Sequence, residues 1–174
     1  LYMQAYGIQC YVPRNFSHKS SHIAYVLSIE EIQSLFQEID SYQPAVNAEA
    51  FHRLALEYRI LFRMLFCCGL RVSEARKLRL DMADLENGVL RIYQSKGHND
   101  RLVYLPDDLR QLCCEYLKTM TVKYKIRSEW FFPASDPAKV LQVASIGKRF
   151  RLAWGQTPYA RKGVLQPTVH SLRH

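Results

Sequence analysis

The sequence predicts a mainly α-helical domain that carries one small antiparallel β-sheet. Two amphipathic helical stretches come first, over residues 28–40 and 49–68. The period then switches from about 3.6 to 2 in VLRIYQ (89–94) and RLVYLP (101–106), which flank the polar, Gly-containing SKGHND. Helical spacing returns after residue 107, so the sheet sits inside a helical chain and does not build the core alone.

Each element has a local reason. Ser28 and Glu31 have the spacing of a capping box, and Leu27 and Ile32 that of a hydrophobic staple; Ile29, Ile32, Leu35, Phe36 and Ile39 follow on one face. In residues 49–68 the stripe Phe51, Leu54, Ala55, Tyr58, Leu61, Phe62, Leu65 and Phe66 is widened by Leu56, Ile60 and Met64, which predicts a nearly buried central helix. Gly69 supplies its stop. GLRVSEARKLRL reads as a tight turn and a short helix that Ser73 begins. LDMADLE (80–86) is a candidate third strand, and Asp107 or Asp108 opens a helix to about Met120. EWFFP (129–133) is a short apolar strand or buried loop, Ala144–Trp154 a basic helix, and Thr168 the cap of a last helix. Residues 1–24, without an acid and containing PRNFSHKSSH, read as a linker after the end of a preceding domain.

Composition narrows the function classes. At 174 residues, 48% apolar and with seven Gly and seven Pro, the chain is long enough for one globular domain and is neither collagenous nor low-complexity. No apolar run approaches the ~20 residues that cross a bilayer, and no signal peptide is present, so the expected location is the cytoplasm. The five cysteines (Cys10, Cys67, Cys68, Cys113, Cys114) lack zinc-site spacing and are odd in number; reduced thiols are expected, Cys67 and Cys68 buried at the end of the apolar helix. The net charge is +8 and the isoelectric point near 9.3. From Pro137 to His174 there are seven Lys or Arg and no acid, while the preceding residues are nearly neutral. That acid-free block favours nucleic acid as the anionic partner.

Three places can carry chemistry: Arg71 in GLRVSE, Lys96 in SKGHND, and His170 with Arg173 in HSLRH. Singly, each has an ordinary explanation: an Arg after a helix caps a carbonyl, a Lys in a turn is solvated, and His and Arg at i, i+3 simply share a face. In this order, with an acidic residue before a strand and Arg101 after the KG hairpin, they resemble the tyrosine recombinase (phage integrase) family, over about residues 25–174.

The resemblance implies the fold of that family's catalytic domain, here incomplete at its C-terminus, behind the end of a DNA-arm domain in residues 1–24. It also implies strand breakage and rejoining through a 3′-phosphotyrosine, with double-stranded DNA as partner and no metal or cofactor. Arg71 and Arg173 match the two arginines that hold the scissile phosphate, and His170 the histidine beside it. Lys96 matches the hairpin lysine that protonates the leaving 5′-oxygen, and Glu74 the acid that orients its neighbours. Arg101, Lys148, Arg149 and Arg151 are the expected DNA-binding cations. The family often has a second lysine where Asn99 stands, and its tyrosine nucleophile follows the HSLRH motif, whereas all eleven tyrosines here precede it. This fragment is therefore expected to be inactive in cleavage; because partner exchange in the family often runs through the tail that follows the motif, it is also expected to be monomeric, and the intact protein tetrameric on DNA. A DNA-binding remnant or regulator that keeps the phosphate site without cutting is the alternative.

Overall fold

Ser28 Oγ accepts the Glu31 N–H while the Glu31 carboxylate accepts the Ser28 N–H (2.8 Å), and from this capping box runs α1, Ile29–Ser41. The computed structural model describes residues 25–45, 48–93 and 100–173. α2, Glu49–Cys67, is the central helix: Leu61, Phe62, Met64 and Leu65 are almost wholly buried. The apolar stripes are narrower than the sequence suggests, since Ile29, Phe51 and Phe66 are exposed.

Gly69, at φ +58°, turns the chain out of α2, and nothing lies within 4 Å of where a side chain would start, so only backbone conformation demands glycine there. α3 follows as Val72–Arg76 with Arg71, not Ser73, at its N-cap. LDMADLE is only partly a strand. Residues Leu80–Met82 form a 3₁₀ turn, because the Leu80 N–H is taken by Glu129 O and Arg79 bridges to Trp130; β1 is then just Ala83–Asp84.

β2 (Val89–Ile92) and β3 (Arg101–Tyr104) pair antiparallel, with Ile92 opposite Arg101 and Val89 opposite Tyr104, and the sheet order is β1-β2-β3. The strands flank residues 94–99, so SKGHND and Lys96 lie outside the described residues, as do residues 1–24. α4 spans Asp107–Val122 and packs on α2. In residues 129–133 the buried part is 131–133, with Phe131 and Phe132 in the core and Tyr116 donating its hydroxyl to Phe131 O (2.7 Å), while Glu129 is exposed. α5, Val143–Gln156, packs against α1 and α3. The last element is a 3₁₀ turn, Val169–Arg173, rather than the expected α-helix. Thr168 donates its N–H to Ser171 Oγ (3.1 Å), so the capping side chain is Ser171 and not Thr168.

Candidate active site

The site grows from the end of α2. Buried Leu70 pins the turn after Gly69, and Arg71 then leaves in extended backbone, with its side chain about one third exposed. Glu74, one turn into α3, reaches back: Oε2 accepts the Arg71 backbone N–H (2.8 Å) and Oε1 accepts Arg71 Nη1 (2.7 Å). From the first residue of β3, Arg101 donates Nη1 to Oε1 (2.9 Å) and Nη2 to Oε2 (2.7 Å), a parallel fork. One carboxylate thus joins a helix N-terminus to the strand that follows residues 94–99.

Burial alone would raise the Glu74 carboxyl. The hydrogen bonds from Arg101 and from the Arg71 backbone and side chain, with the Arg101 charge, outweigh it and hold the group at about 2. Glu74 is therefore a carboxylate at any physiological pH. The same bond raises the Arg101 guanidinium further. Arg101, expected as a DNA contact, has both terminal nitrogens engaged by Glu74.

His170 and Arg173 sit on the terminal turn, held in place by buried Ser171 and Leu172, which pack it onto α2 and α5. His170 is exposed and Arg173 half-buried. His170 lines a cleft of about 660 Å³ that also takes in Val72, the residue next to Arg71. Phe150 and Trp154 of α5 give the cleft an apolar wall, and Arg151, Arg161 and Lys162 add cations. Two segments almost 100 residues apart in sequence thus face one cleft.

Lys148 and Arg151 are exposed on α5, as a DNA-facing role needs. Arg149 is not. It is 8% exposed, its guanidinium lies 3.1 Å from the centre of the Tyr42 ring, and burial lowers its pKa. It falls on the inward stripe with Ile146, Phe150 and Ala153, so the periodicity that defines α5 could have placed it inside. Arg149 ties α5 to the end of α1 and leaves the expected DNA-binding set.

A buried pair escaped the sequence reading. Arg53 and Glu57 lie on the core face of α2 and are bonded to each other, and Arg53 Nη2 also donates to Ala134 O (2.7 Å). Burial pushes the Glu57 carboxyl up to about 8 against the pull of Arg53. The signal was there, because two opposite charges at i, i+4 inside an apolar stripe cannot both face water when the stripe is buried. Arg76 Nε likewise donates to Leu141 O (2.6 Å), fixing the approach to α5. The four described cysteines are free; Cys67, expected buried, is exposed beyond the core stripe, which ends at Leu65. Among the described residues no cluster of His, Cys, Asp or Glu could hold a metal, and no helix is long and apolar enough to cross a membrane.

The chain and its fold have counterparts. The model of the phage integrase family matches residues 26–174. The chain belongs to that family. Tyrosine recombinase XerC of Proteus mirabilis is 28% identical over 141 residues, which are 79% of this chain and 43% of XerC; the chain thus spans less than half the length of that relative. The crystal structure of XerA recombinase matches with a TM-score of 0.66 at 17% identity, over 99% of this chain and 55% of that one. XerH site-specific recombinase, bound to difH substrate in a pre-cleavage complex, matches with a TM-score of 0.66 at 22% identity, over 85% of this chain and 40% of that one. At such identities these likenesses concern the fold.

Proposed function

We propose that this chain carries the phosphate-holding part of the active site of a site-specific DNA recombinase, which breaks and rejoins duplex DNA through a 3′-phosphotyrosine. The observation that carries the proposal is the shared cleft: Val72, beside Arg71, and His170, three residues before Arg173, line one cavity with cations around it. Family membership and the likeness to a recombinase described on its DNA substrate support the same reading.

In this mechanism Arg71 and Arg173 donate to the two non-bridging oxygens of one phosphate. Guanidinium suits the task because it is planar, multidentate and permanently charged, so it stabilises the charge that grows in the pentacoordinate transition state. His170 donates to the same group. A tyrosine oxygen attacks phosphorus as its phenolic proton leaves with His170 assisting the transfer, the bond to the 5′-oxygen breaks, and Lys96 delivers the proton that oxygen needs. The 5′-hydroxyl of a partner strand reverses the step. Because the phosphodiester energy is kept in the covalent intermediate, no external energy source is required. The nucleophile in this reading follows the HSLRH motif in the full-length protein, which acts in the cytoplasm as a tetramer on DNA.

The test uses full-length protein and nicked duplexes that trap the intermediate. Wild type should form a 3′-phosphotyrosyl adduct, and Arg71→Ala or Arg173→Ala should lower its rate by at least about 100-fold. Lys96→Ala should slow cleavage of ordinary DNA but cut a substrate with a 5′-thio leaving group, which needs no proton, at nearly the wild-type rate. DNA binding with no adduct on any substrate would replace the recombinase reading by that of a non-cleaving DNA-binding module.

A further inference from the structure

We propose that Arg101 is a positioning residue: by neutralising Glu74 it keeps the Arg71 guanidinium available to a DNA phosphate. The inference rests on the phosphate-site reading above and departs from the sequence expectation that Arg101 itself contacts DNA.

The geometry supports it in three ways. First, Glu74 is surrounded by donors. Its oxygens accept from both terminal nitrogens of Arg101, from Arg71 Nη1 and from the Arg71 backbone. Two guanidinium charges meet one carboxylate, so the cluster keeps one positive charge in surplus. Remove Arg101 and Arg71 and Glu74 become a neutral internal pair, with the fork of Arg71 drawn onto the carboxylate. Second, the division of labour is unequal. Arg101 spends both Nη atoms on Glu74, whereas the Arg71 guanidinium, among the described residues, donates to it through Nη1 alone. Third, the Glu74 side chain is only 6% exposed, while those of Arg71 and Arg101 are 35% and 31% exposed. Water screens the carboxylate poorly, so a second cation must balance it if Arg71 is to serve another anion. Arg101 also opens β3, so the same fork fixes where the strand after residues 94–99 meets the domain.

The experiment measures binding of a fluorescein-labelled DNA duplex to the 174-residue protein by anisotropy at one fixed salt concentration, with thermal melts to show that each variant is folded. Arg101→Gln should weaken binding about tenfold, and Arg101→Lys, which keeps the compensating charge, should stay within about threefold of wild type. The decisive variant is Arg101→Gln combined with Glu74→Gln. Removing the carboxylate should release Arg71 and bring affinity back to within about threefold. Arg101→Gln with Asp107→Asn has the same net charge, but its altered acid lies past the far end of β3, and it should stay about tenfold weak.

No recovery with Glu74→Gln would make Arg101 a direct DNA contact and overturn the proposal. Equal recovery with Asp107→Asn would reduce the effect to overall charge and also overturn it. Arg71→Ala separates the two levels. If it leaves binding unchanged, the phosphate-site reading fails and the proposal falls with it; if it weakens binding while Glu74→Gln fails to rescue, only the proposal falls.

Discussion

Glu74 shows how much a single side chain can organise. Its carboxylate serves as helix cap, salt-bridge partner and strand tether, and its donors hold its pKa at about 2 against an ordinary 4.5. A carboxyl whose folded pKa lies below its unfolded value contributes stability in full above pH 4.5 and loses it as pH falls through that window toward 2. Glu74→Gln should therefore melt below wild type at pH 7, and the gap should close as pH drops from 4.5 to 2. A gap that is independent of pH would show that the Glu74 charge adds nothing. At this scale the sequence was informative about chemistry and less so about direction. Arg71, Glu74, His170 and Arg173 could be named from their motifs, but nothing local says that Arg101 turns toward Glu74 while Arg149 stacks on Tyr42. Both orientations are set by residues distant in the chain, at 74 and 42.

Elements were most legible where local and tertiary preferences agree. The capping box fixed the start of α1, and the change of period fixed the β2–β3 hairpin. They were least legible where a distant backbone group competes. Leu80–Met82 turns into 3₁₀ because Glu129 O takes the Leu80 N–H, and the cap of α3 shifts to Arg71 because Glu74 reaches back to it. The connection from residue 129 to 141 depends on α2 in the same way, through Arg53. Arg53→Met removes the bond to Ala134 O and leaves Glu57 buried without its partner, so it should cost about 3 kcal/mol in urea unfolding. Glu57→Gln should cost less, about 1 kcal/mol near neutral pH, because the amide oxygen can still accept from Arg53 while the tether to Ala134 O stays in place. Equal costs would mean that the pair, and not the carbonyl tether, dominates.

Across the whole molecule, positive charge gathers where the candidate site lies. Arg151, Arg161 and Lys162 surround the cleft that holds His170, and no acid occurs from Pro137 onward. Arg149 is spent inside, so fewer cations are available to an anionic partner than the sequence alone suggests. If about five phosphates are neutralised, log affinity against log salt should slope near −4 to −5, with little dependence on duplex sequence. A flat salt response would remove the electrostatic interface. More specific than that interface is the proposed convergence of Arg71, His170 and Arg173 on one phosphate. A crystal structure of the 174-residue protein on duplex DNA tests it most directly, read as the distances from one phosphorus to the two guanidinium groups. Nitrogens of both arginines, and a ring nitrogen of His170, should lie at about 3 Å from oxygens of a single phosphate. Arg71 and Arg173 on different phosphates, or separated by more than about 15 Å, far beyond hydrogen-bond reach, would contradict it.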